Sequence, residues 1–166
     1  MSVLALTALL VAGPVPSPPP VRAKEASVTT ASEEDAVRRA LAAFLDAVNR
    51  ADYAAVIEMI TDDAVFWTAD APATRGKAAL EAAYDGLAAY TVHQDFEIEE
   101  LQVCGDWAFV RGYESFTLDP RDGKGQRLEI KRRRAISILR RQPDGSWKTA
   151  RGMTNYDAPR PTAASP

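Results

Sequence analysis

The sequence predicts an α+β fold: a curved, mainly antiparallel sheet with three helices from the N-terminal half laid on its concave face. Two observations predict it. Between Glu33 and Tyr90 apolar residues recur at helical spacing in three segments, interrupted by one short strand-like run. After Tyr90 every segment alternates or runs apolar like a strand, and turn signals divide the segments. Helices followed by a meander of strands give an α+β layout. One curved sheet covered on a single side encloses a cone-shaped cavity, which is a natural small-ligand site.

Each element has its own signal. Ser32 offers an N-cap, with Glu33, Glu34 and Asp35 favourable in the first turn. Val37, Leu41, Phe44, Leu45 and Val48 then mark one apolar face to about Arg50. Asp52 caps a shorter helix, YAAVIEMI. DDAVFWTAD reads as a short strand and DAPATRG as a loop. KAALEAAYDGLAAY is the third helix, with Leu80, Tyr84 and Leu87 on one face. VHQDFEIEELQV, DWAFVRGYESFTL, QRLEIKRRRAISILRR and SWKTARGMTNY are four strands. Cys104-Gly105-Asp106 and Gln142-Pro143-Asp144-Gly145 are hairpin turns, and DPRDGKG is a longer one.

The 166 residues make one domain, expected over 32–157, with tails. A net charge of −3 gives no general field for nucleic acid. A single cysteine, Cys104, and a single histidine, His93, exclude an internal disulfide and a Cys/His metal cluster. No glycine-rich phosphate loop or nucleophile elbow is present, so neither metal nor cofactor is expected. LALTALLVAG fits the apolar core of a signal peptide and is too short to span a bilayer. Residues 1–23 are therefore read as a signal peptide cleaved after Ala23, 24–31 as a disordered linker, and 158–166 as a disordered tail. The expected location is secreted or periplasmic, with no membrane contact in the mature form. The opening MSV lacks a basic region, and a misassigned start would leave the protein cytoplasmic instead.

DDAVFW…RGKAAL, GDWAFVRG and RRQPDGSWKTARGMTNYD, in this order of elements, resemble the NTF2-like superfamily, and within it the SnoaL-like or DUF4440 branch. The resemblance runs from about Glu33 to Asp157 and implies the NTF2-like cone. The superfamily holds isomerases, dehydratases, hydrolases, cyclases and non-catalytic association domains, so fold alone does not select a reaction. It implies a small-molecule ligand, and because Phe109 against Val110 and Ile138 against Leu139 put apolar residues on both sheet faces, a two-fold homodimer through the outer face is expected. A cofactor-independent hydrolase, dehydratase or cyclase acting on a small polar or anionic molecule is one expectation. A non-catalytic association domain with a filled cone is the other. In steroid isomerases sharing the DDA strand opening, the resemblance puts the general base at Thr68, which cannot serve.

The candidate residues follow from strand parity. In KRRRAISI, Arg132 and Arg134 share parity with Ile130, Ile136 and Ile138, whereas Lys131 and Arg133 do not. If the isoleucines face the core, Arg132 and Arg134 enter the cavity, with Asp70, Glu114, Asp157 or an anionic ligand as partners. If the strand bulges, the run is a solvated stripe. Asp70, near Thr68, and His93, the one histidine, are the candidate catalytic groups. Asp95 shares parity with His93 and could orient it only on a kinked strand. Trp67, Tyr84, Tyr113, Met153 and Asn155 complete the expected pocket, each also suited to packing.

Overall fold

The computed structural model describes residues 31–69 and 71–157. The proposed signal peptide, all but the last residue of the linker, Asp70 and the 158–166 tail lie outside the described residues. The elements are α1 (Ala31–Asn49), α2 (Tyr53–Glu58), β1 (Ile60–Trp67), β2 (Thr74–Arg75), α3 (Lys77–Asp85), β3 (Tyr90–Cys104), β4 (Trp107–Pro120), β5 (Leu128–Arg141) and β6 (Trp147–Tyr156). They form the expected α+β cone. One sheet has the order β2-β1-β6-β5-β4-β3, with every pairing antiparallel except β1 with β6.

The helical spacing is used as expected. Val37 and Leu41 of α1 bury against Leu101, Val110, Leu139 and Trp147 of the sheet. Further along, Phe44 and Val48 join Val56, Ile57, Ile60, Leu80 and Val92 in a second cluster around α2 and α3. The Asp52 side chain caps α2, accepting from the Ala55 N–H at 3.1 Å. No described helix is long and apolar enough to cross a membrane.

Several boundaries differ from the sequence reading. Ser32 lies inside α1, which includes Ala31. Ile60 opens β1 instead of closing α2, because it pairs with Thr149 of β6. Thr74–Arg75, expected in a loop, pairs with Val65–Phe66 at the sheet edge. α3 stops at Asp85, where Gly86 caps it and the Leu87 N–H turns back to the Tyr84 carbonyl.

Four register shifts interrupt the sheet, one of them between Ile60 and Val65 where β1 pairs with β6. On β3, Ile98 faces Gly112 and Glu100 faces Arg111, which leaves Glu99 as an extra residue. On β5, Arg133 faces Glu114 and Ile130 faces Phe116, so three steps along β5 match two along β4. On β6, Ala150 is extra between the partners of Ile138 and Leu139. Such bulges increase local twist, and each also reverses which parity faces inward.

Candidate functional site

The bulge in β5 settles the basic run. Before it, Leu128 and Ile130 line the cavity; after it, Arg133, Ala135 and Ser137 do. The inward arginine is therefore Arg133, and the expectation for Arg132 and Arg134 is corrected. The isoleucines anchored the parity, but one inserted residue inverted it before Arg132. Arg132 lies on the outer face, stacked 3.4 Å from the Tyr113 ring centroid and 3.4 Å from Glu97. The contact with Tyr113, and then the negative charge of Glu97, raise its pKa. Arg134 is also outside, paired with Asp157 at 3.0 Å. Tyr113 and Asn155 border a separate outer groove with Arg134, and not the cone. They too are corrected, because β4 turns Ala108, Val110 and Glu114 inward and Tyr113 outward.

The cone encloses a cavity of about 430 Å³, within the range of about 300–1,000 Å³ usual for small-molecule sites. Its walls are mainly apolar, with Leu41, Phe44 and Val48 from α1, Leu80 from α3, and Phe96 and Phe116 from the sheet. Gly152 lies against the ring of Phe66. A Cβ there would come within 2.7 Å of Phe66 Cδ1, so this close approach needs glycine.

One polar cluster interrupts the apolar lining. Arg133 Nη2 donates to Glu114 Oε1 at 2.6 Å, with side chains only 13% and 6% exposed. Gln94 Nε2 donates to the same oxygen at 3.1 Å. Among the described residues the buried Nε–H of Arg133 has no hydrogen-bond partner, and neither has the buried Thr154 hydroxyl. Tyr84 shares the cavity. Burial, and then the negative charge of Glu114, push its phenol far above the ordinary value, so it stays protonated and can donate. Its ring lies 5.6 Å from that of Tyr53.

Of the other expected pocket residues, Trp67 and Met153 both border the cavity and are 55% and 41% exposed. Met153 also borders the outer groove. His93 is exposed and does not line the cone. It pairs with Asp95 at 2.9 Å on a stretch of β3 that pairs regularly with β4, so no kink is needed. Asp70 lies outside the described residues. Thr68 borders the cavity, where the resemblance put an isomerase base. Sequence reasoning named Glu114 only as a partner and missed Gln94. Both were legible, since Val92, Gln94 and Phe96, like Gly112, Glu114 and Phe116, share inward parity. Arg133 was not legible, because nothing in KRRRAISI marks the inserted residue. Among the described residues no cluster could hold a metal ion.

Residues 41–150 match the SnoaL-like domain family. A ketosteroid isomerase-like protein from Erwinia carotovora atroseptica SCRI1043 is 34% identical, with a TM-score of 0.66 over 78% of this chain and 100% of that one. A conserved protein from Planctomyces limnophilus DSM 3776 is 26% identical, with a TM-score of 0.69 over 76% and 98%. An NTF2-like protein of unknown function from Pseudomonas putida KT2440 is 25% identical, with a TM-score of 0.59 over 80% and 91%. No curated protein matches.

Proposed function

We propose, on the premise that the chain belongs to the SnoaL-like domain family, that it binds a small, mainly apolar organic molecule in the cone and that Glu114 moves a proton on it. The observation that carries this reading is the buried Arg133 Nε–H, unpartnered beside a buried carboxylate. A buried donor without an acceptor costs about 1–3 kcal/mol, which a ligand oxygen would recover. Glu114 and Arg133 neutralise each other, so the site favours a neutral ligand with one acceptor, such as a carbonyl, over the anion expected from the sequence.

The hydrogen bonds from Gln94 and Arg133 both fall on Glu114 Oε1, so neither engages Oε2. Glu114 would take a proton from carbon beside the bound carbonyl. The electron pair moves onto the carbonyl oxygen, which Arg133 Nε–H, with Tyr84 as a second donor, stabilises as charge develops. With a β,γ-unsaturated ketone, return of the proton from Glu114 to the γ-carbon gives isomerisation; with a β-hydroxy ketone, the enolate expels the hydroxyl, which takes that proton and leaves as water. The relative described as ketosteroid isomerase-like is compatible with this class, although here the carboxylate comes from β4 and the isomerase-base position is Thr68. The non-catalytic alternative expected a filled cone, and the open cavity weighs against it.

The test is a thermal-shift panel of neutral cyclic ketones and matched carboxylates. A ketone at a hundredfold excess over Kd should stabilise the fold by about 2.7 kcal/mol. In D₂O the bound ketone should exchange its α-hydrogens, and Glu114→Gln should abolish exchange while binding persists. A panel without a stabilising ketone, or unchanged exchange in Glu114→Gln, would overturn the proposal.

A further inference from the structure

At the last residue of α1, the Asn49 side chain meets the backbone of β3 twice. Its Nδ2 donates to the Gln94 carbonyl at 2.9 Å, and its Oδ1 accepts from the Gln94 N–H at 2.7 Å. β3 is an edge strand, so the Gln94 backbone groups turned away from β4 have no neighbouring strand. Asn49 supplies the missing rung with one side-chain amide. The Gln94 side chain then points inward to Glu114, which Arg133 holds from β5. A continuous set of hydrogen bonds therefore runs from an exposed helix end, through one strand position, to the buried carboxylate.

We propose that Asn49 is a positioning residue: by fixing the backbone of Gln94 it fixes the donor that orients Glu114 in the cone. This rests on the reading of Glu114 as the proton-transfer group. The physical reason lies in the geometry of β3. Just beyond Gln94, at Glu99, the strand bulges, and a bulged edge strand held from one side only is free to twist. A twist at Gln94 moves its Nε2 away from Glu114, and the carboxylate then has only Arg133 to set its orientation. Misplacement of a catalytic group by a fraction of an ångström is enough to slow a reaction without changing what binds.

The experiment uses the full chain labelled with ¹⁵N, and the side-chain NH₂ signals of Gln94 are followed by NMR. Asn49→Ala should move both signals toward those of a solvated amide. Arg38→Ala, which removes an exposed contact with Glu34 on the same helix, should move neither. In the exchange assay Asn49→Ala should lower kcat about tenfold with KM within about twofold. Asn49→Asp keeps the acceptor and loses the donor, and should give a smaller shift in the same direction. It decides the matter if the alanine variant does not fold. Gln94 signals and kcat unchanged in Asn49→Ala, or in Asn49→Asp where that variant decides, would overturn the proposal. If wild type exchanges no ketone, the proton-transfer reading falls, while the Gln94 signals still report whether Asn49 holds the donor.

Discussion

Arg133 and its neighbours differ by one position and by a large energy. Its guanidinium is buried against Glu114, and removing one partner of a buried pair leaves the other charge unpaired, at about 3–5 kcal/mol. Arg132 and Arg134 are about half exposed, with partners Glu97 and Asp157 themselves 65% and 43% exposed. Solvent screening leaves such exposed pairs little effect on stability. Urea melts of the four alanine variants from Lys131 to Arg134 should therefore show one large loss, at Arg133, and three small ones. Equal losses at all four positions would contradict the inward placement of Arg133.

Elements are held in place at a few contacts that tolerate little change. Gly112 of β4 passes so close to β3 that a Cβ would lie 1.9 Å from the Glu97 carbonyl oxygen. Backbone is on both sides, so neither can give way as a side chain would. Gly112→Ala should cost about 3 kcal/mol or more, seen as loss of soluble protein or a sharp fall in Tm; a fall of only a degree or two would mean that the bulge relaxes. On the other edge, Asp63 ties β1 to β5 and β6. It takes both Arg140 nitrogens, at 2.7 and 3.1 Å, and Arg151 at 3.4 Å. The hydrogen bond from Arg140 is the main cause that lowers the Asp63 pKa from 3.8 to about 2. A depressed folded-state pKa gives stability that is present above the unfolded value and lost as pH falls through the folded one. The Tm advantage of wild type over Asp63→Asn should thus be full above about pH 5 and vanish between about pH 4 and pH 2. An advantage that persists at pH 2 would mean that the ion pair is not its source.

At the scale of the molecule, the outer sheet face remains partly apolar. Phe109 and Ile138 are cross-strand partners there and only half-buried. Apolar area of this kind commonly marks an interaction site. A two-fold homodimer through this face is the proposal that follows. Light scattering at tens of micromolar should give twice the chain mass, and Ile138→Arg should give the monomer. A monomeric wild type would refute it. Export is proposed from the N-terminal apolar run alone. N-terminal sequencing of the mature protein should begin at Lys24, and an intact Met1 would refute cleavage.

The sequence by itself determined the α+β class, the order of helices and strands apart from the short β2, and the cone. Each follows from local periodicity and turn chemistry, which a single chain segment carries within itself. Glu114 was legible for the same reason, as a charge within an apolar parity. Only the tertiary structure decided which arginine enters the cavity, because a bulge is set by how β5 pairs with β4 and leaves no mark on β5's own composition. Asn49 was decided in the same way: its amide completes an edge strand 45 residues away. The register between distant strands converts a legible face into a particular site, and it exists only once the partners are in contact.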